Sequence, residues 1–188
     1  MIDAGFLGTD ADILELVPSY KLVAIDAPLS LPKGLCCLEE SCSCQPSTEV
    51  KGRDCERELA RQGIPCYFTT KKSIIKEMVK RGIRLKARLE CMGCEVIEVY
   101  PYVSKVRLLG KNIPKKTTPA GLVFLKQHIS QLLPNLAPHI DGFSHDLCDA
   151  AIAAYTAFLH YQDKTEPCGD PEEGIIYIPL VDRLVYAS

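Results

Sequence analysis

Five cysteines crowd one stretch of this sequence: Cys36, Cys37, Cys42, Cys44 and Cys55. Four thiolates can hold a tetrahedral Zn2+ or an iron–sulfur cluster. A local cluster points to a metal or redox site rather than to disulfides spread across the fold. The spacing, Cys-Cys-x4-Cys-x-Cys-x10-Cys, differs from a pair of Cys-x2-Cys units, so disulfides and free thiols stay open as alternatives. Cys66, Cys91, Cys94, Cys148 and Cys168 are scattered. Cys91 and Cys94, close to a strand start, read as core packing rather than a redox pair.

The second chemical resource is a set of carboxylates. Asp26 ends the apolar run Leu22-Val23-Ala24-Ile25, and the carboxyl ends of such strands are where open α/β sheets place their ligands. Glu98 sits inside Val96-Ile97-Glu98-Val99-Tyr100. A strand buried on both faces forces it to find a cation or a donor. Asp146 and Asp149 stand three residues apart at the start of an alanine-rich helix, on one face of its first turns. Acids that converge in this way form an oxygen cage suited to Mg2+ or Mn2+, and such ions activate water for phosphodiester hydrolysis. Plainer readings exist for each: Asp26 as a turn former before Ala27-Pro28, Glu98 on an exposed edge, and Asp146 and Asp149 as partners of the helix dipole.

Cations fit the same chemistry. Arg53 follows the cysteine loop, and a planar guanidinium suits bidentate phosphate recognition. Lys115, in Lys115-Lys116-Thr117, is a second phosphate candidate or part of a solvated loop. Residues 51–90 hold twelve Lys/Arg against five Asp/Glu, and residues 105–126 hold six and none. A formal net charge of −2 therefore conceals basic segments that can face nucleic acid, or simply form solvated helix faces. His145, beside Asp146, is a candidate for proton transfer.

The elements that must position these residues read as α/β. A capped helix starts at Asp10 and ends before Pro18. Strands are expected at 22–26, 94–100 and 174–179. Helices are expected at 54–62, 71–92 (one or a pair), 118–133 and 144–161. Residues 31–56 form a long cysteine-rich loop, of the length that is functional or metal-organised. Strands separated by helices imply parallel pairing.

The chain has 188 residues, 47% hydrophobic and 24% charged, which suits one globular domain over 1–188. No apolar run approaches the roughly 18 residues of a membrane span. Met1-Ile2-Asp3 lacks the basic start of a signal peptide. The expectation is a soluble cytoplasmic protein without membrane contact.

Several segments taken together resemble domain-of-unknown-function family 429, predicted RNase H-fold nucleases. They are Val23-Ala24-Ile25-Asp26-Ala27-Pro28-Leu29-Ser30-Leu31-Pro32, Arg53-Asp54-Cys55-Glu56-Arg57-Glu58-Leu59, Val96-Ile97-Glu98-Val99-Tyr100-Pro101, His145-Asp146-Leu147-Cys148-Asp149-Ala150 and Gly169-Asp170-Pro171-Glu172-Glu173-Gly174. The resemblance implies an RNase H-like, resolvase-like mixed sheet flanked by helices, and a divalent-metal-dependent nuclease acting on DNA or RNA. Asp26, Asp146 and Asp149 are then the metal candidates, with Glu98 a fourth catalytic acid.

The chain departs from that pattern in one place. The RNase H fold opens with a three-strand meander, which needs about 25 residues, and only about eight precede the first helix here. The expectation is a sheet without its first strands, with Asp3 a weak substitute for the missing acid. A catalytically incomplete, metal-stapled module that binds nucleic acid or protein is the alternative. An exposed sheet edge then predicts a homodimer.

Overall fold

The computed structural model describes residues 4–17, 20–115 and 117–180. Asp3, Pro18 and Lys116 lie outside the described residues. Helix α1 is Asp10–Leu16, opened by a capping box in which Thr9 and Asp12 exchange bonds of 3.2 and 2.8 Å. Strand β1 is Leu22–Ile25, α2 is Asp54–Arg61, α3 is Lys76–Cys91 and β2 is Glu95–Val99. They are followed by α4 (Pro101–Leu109), α5 (Pro119–Leu132), a 3-10 segment (Pro134–Gly142) and α6 (His145–Tyr161). Strands β3 (Thr165–Cys168) and β4 (Ile176–Pro179) complete the order.

The four strands form one mixed sheet in the order β1-β2-β4-β3. β1, β2 and β4 are parallel, with Ile25 opposite Glu98 and Glu98 opposite Ile176, while β3 runs antiparallel to β4. The expected α/β class and the parallel core are therefore present. β3 was not expected, because Thr-Glu-Pro-Cys carries no apolar pattern. Its proline is tolerated on a sheet edge, where one side of the strand needs no ladder bond. Helix α4 was not expected either: Pro101 ends β2, yet it also occupies the first helical turn, where its missing N–H costs nothing.

Side-chain alternation divides the sheet. On one face Val23, Ile25 and Val96 pack on α1 and α3 through Val17, Leu85 and Leu89. On the same face Ile176 and Ile178 meet Cys55 and Leu59 of α2. On the other face Leu22, Ala24, Ile97, Val99 and Tyr177 pack on Ala153 and Ala157 of α6. The alanines let α6 lie close to the sheet. A further core behind α6 joins α5 and the 3-10 segment through Leu125, Ile129, Leu136 and Ile152. The stripe expected from residue 71 onward begins later: Ile74 is 83% exposed and precedes α3. No helix among the described residues is long and apolar enough to cross a membrane.

Candidate functional site

Two groups of polar side chains gather near the carboxyl ends of β1 and β2. The first surrounds Glu98. Alternation turns Glu98 toward α2, where it is 6% exposed, and the cation it finds is Arg53, only 1% exposed. Arg53 donates from both terminal nitrogens to the two Glu98 oxygens, at 2.7 and 2.6 Å. Its Nε donates to Glu56 Oε1 at 2.9 Å, and a terminal nitrogen also reaches Ser30 Oγ at 2.9 Å. Glu98 Oε2 accepts the Leu29 N–H at 2.8 Å. Glu56 further accepts from the Arg53 N–H at 3.0 Å, the Thr69 N–H at 2.7 Å and the Thr69 hydroxyl at 2.5 Å. Burial lowers the guanidinium pKa, but the Glu98 carboxylate more than offsets this and raises it.

Glu173 extends the network. Its carboxylate accepts the Lys33 N–H at 2.9 Å, the Asp54 N–H at 2.6 Å and Arg57 at 3.1 Å, and its carbonyl takes the Ser30 hydroxyl. The effect is to clamp the Pro28–Ser30 turn, the start of α2 and the turn before β4 onto the end of β2. Arg53 was expected to hold substrate phosphate. Instead its donors are turned inward onto Glu98, Glu56 and Ser30, away from solvent. Glu98, expected as a fourth catalytic acid, likewise has both oxygens engaged by that cation.

The second group lies on the α6 face. Leu22 and Ala24 point to α6, while Asp26, in the bend just beyond β1, lines a cleft with Glu98 and Tyr100. Asp149, Ala153 and Ala157 form an i, i+4, i+8 row on α6, and the two alanines of that row rest on the sheet. The Tyr100 hydroxyl pKa is pushed up to about 12, first by burial and then by the negative charges of its neighbours, Cys66 ahead of Asp26 and Asp149. Tyr100 stays protonated and donates to the Pro65 carbonyl at 2.6 Å. The ammonium of Lys105, 3% exposed, bonds Asp149 Oδ1 at 2.6 Å. A Thr156 to Ser104 bond of 3.0 Å fixes α6 to α4 beside this pair.

Asp146 does not join them. It is exposed on the first turn of α6, so Asp26, Asp146 and Asp149 do not close into the expected three-acid cage. His145, next to it, has a buried Nδ1 without a hydrogen-bond partner. Lys115 lies on an exposed turn whose carbonyl accepts from Thr118 at the start of α5. A cleft of about 80 Å³ opens between Asp26, Tyr67, Ile75, Met78, Glu98 and Tyr100. That is room for roughly two or three waters. A large substrate must therefore lie across its mouth rather than inside it.

The cysteine loop holds a separate centre. The Sγ atoms of Cys36, Cys37, Cys42 and Cys44 all lie within 4.8 Å of one another, the one such group of three or more metal-ligating side chains among the described residues. Cys55, expected as a fifth member, is instead fully buried beside Leu59 and Cys168 in the α2 core. Burial pushes its thiol pKa up. Within the cluster the Cys44 thiol is pulled down to about 6, chiefly by the Cys36 N–H.

Sequence reasoning passed over Glu56, Glu173, Ser30, Lys105 and Lys71. Glu56, Glu173 and Ser30 do stand inside the motif segments. Lys105 was visible as a lone cation within the apolar stretch Val103–Val106 of α4.

No curated protein and no solved structure matches this chain. A family model described as a protein of unknown function, DUF429, matches residues 6–174. That span takes in every residue of both strand-end groups and the whole cysteine loop, and the chain belongs to the DUF429 family.

Proposed function

We propose that this chain is an RNase H-like, divalent-metal-dependent nuclease whose working edge lies at the carboxyl ends of β1 and β2. The observations that support the reading are Asp26 just beyond the end of β1, lining the cleft beside Tyr100, and Asp149 held by Lys105 on α6, with the charges of both acids acting on the Tyr100 hydroxyl. Mg2+ is commonly held by one or two carboxylates together with waters and substrate phosphates, and two hard oxygen donors on two rigid elements suit that demand. Asp26 and Asp149 would hold the ion. When bound, it supplies Lewis-acid polarisation of a phosphodiester and a nucleophilic water near neutral pH.

The chain's own groups do the rest. Lys105 holds Asp149 in one orientation through a charge-assisted bond. The Arg53, Glu56, Glu98 and Glu173 network fixes the turn that follows Asp26, so that carboxylate is carried on rigid backbone. Lys115 is exposed and would supply a phosphate contact of the kind that favours nucleic acid.

A second reading, a binding module without catalysis, is favoured by one observation: Lys105 already neutralises Asp149, while Asp146 turns to solvent. The two readings separate in one experiment. Labelled single-stranded, duplex and branched DNA and RNA are incubated with the protein in Mg2+ or Mn2+, and binding is followed across salt concentrations. Divalent-dependent cleavage that Asp149→Asn abolishes supports the nuclease. Salt-sensitive binding without cleavage on any substrate supports the module and rejects the nuclease.

A further inference from the structure

We propose that Cys36, Cys37, Cys42 and Cys44 bind one Zn2+ in a closed, structural site, and that Lys71 supports it from outside the ligand shell. Geometry is the first argument. Zn–thiolate bonds are about 2.3 Å, so two sulfurs on one tetrahedral ion stand about 3.8 Å apart. The Cys36 and Cys42 sulfurs are 3.8 Å apart. A disulfide would need about 2.05 Å, and all ten cysteines are free. Thiolates on the separate irons of a cluster stand farther apart than thiolates sharing one ion. Four sulfurs all within 4.8 Å of one another therefore fit a single ion.

Charge is the second argument. Four thiolates around Zn2+ leave the site with two excess negative charges. The Lys71 ammonium, on the segment after α2, donates to the carbonyl oxygens of two ligand residues, Cys42 at 2.5 Å and Cys44 at 2.6 Å. It thus brings a compensating charge and fixes the backbone of the Cys42–Cys44 arm. The loop is also built to bring the two arms together. Gly34, with φ +89°, lies where a Cβ would meet the Gln45 carbonyl at 2.5 Å, and the Ser47 N–H bonds the Lys33 carbonyl at 2.7 Å.

Four protein ligands leave no open position, so this zinc orders the loop and does no chemistry. The loop runs between Ser30 and Arg53, both members of the buried network. Its ordering therefore keeps those two residues at their partners, and it does so whether or not the strand-end acids cleave nucleic acid.

The test is metal analysis of the reduced, purified protein, followed by exchange with Co2+. The expected result is one zinc per chain and, with Co2+, the visible spectrum of a tetrahedral thiolate site. Cys36→Ser and Cys44→Ser should lose the zinc, and Cys91→Ser, an exposed cysteine outside the group, should keep it. Lys71→Met should weaken zinc affinity by about 10–100-fold, as loss of an outer-shell partner does. The Co2+ spectrum of the wild-type chain decides the matter if a serine variant does not fold. Iron in place of zinc, a disulfide within the four, no stoichiometric metal, or zinc retained by both serine variants overturns the site. Unchanged affinity in Lys71→Met overturns the role of the lysine.

Discussion

Replacing Arg53 by Met should unfold much of this domain's margin of stability. The side chain makes four hydrogen bonds, to Glu56, Ser30 and both oxygens of Glu98, and it is 1% exposed. Its two carboxylate partners are 2% and 6% exposed. After the substitution Glu56 keeps three donors, from Arg53 N–H and from Thr69 N–H and hydroxyl. Glu98 keeps only the Leu29 N–H, so the penalty falls mainly on Glu98. Breaking one buried pair by removing a partner costs about 3–5 kcal/mol. For a domain of this length that lowers Tm by roughly 6–20 °C. Urea denaturation with an unchanged slope measures it. The double variant Arg53→Met, Glu98→Met removes the stranded charge and should recover much of the loss, which makes the two substitutions strongly non-additive. Lys33→Met, at an exposed ion pair, should leave the midpoint in place. An Arg53→Met variant no less stable than Lys33→Met, or a double variant whose losses simply add, would refute the reasoning.

Gly169→Ala should cost at least about 2 kcal/mol, because φ is +105° and the new Cβ would lie 2.5 Å from Cys55 Cβ. Gly142→Ala, with nothing within 4 Å, should change stability by less than about 0.5 kcal/mol in the same denaturation assay. Lys105→Met should destabilise by about 1–3 kcal/mol, since it strips Asp149 of a charged donor in a mostly buried place; thermal unfolding reads the loss. Burial holds the Cys168 thiol up at about 12 and raises those of Cys55 and Cys148. Alkylation near pH 8, followed by mass spectrometry, should therefore mark exposed Cys91 and spare those three until the chain is denatured.

The sequence was most legible where one residue's problem has one solution. An acid in an apolar strand must find a cation, and Glu98 does. A run of alanines after Asp149 must lie close to something, and it lies on the sheet. Asp26 could likewise be placed at the end of a strand from the apolar run before it. What stayed hidden was the partner in each case. Arg53 looked like a phosphate ligand because its position beside the acids was right; only burial reveals that its donors turn inward. Asp146 and Asp149 share a helical face by spacing, but a 60° offset suffices to leave one on the sheet side and the other in solvent. Cys55 belonged to the cluster by proximity in sequence, yet it falls on the buried side of α2, where the helix rather than the loop decides its place. Helix α4 and strand β3 were obscured because a proline serves as a start in one and an edge in the other.

The most direct test of the account is single-turnover cleavage by the wild-type chain, Asp26→Asn, Asp149→Asn and the double variant, each in Mg2+ or Mn2+ and each checked for native unfolding behaviour. Residues that act as one unit lose as much singly as together. The account predicts divalent-dependent cleavage by the wild type, a loss of at least about 100-fold in each single variant, and little further loss in the double. Cleavage retained by either folded single variant, or none by the wild type on any substrate, would contradict it.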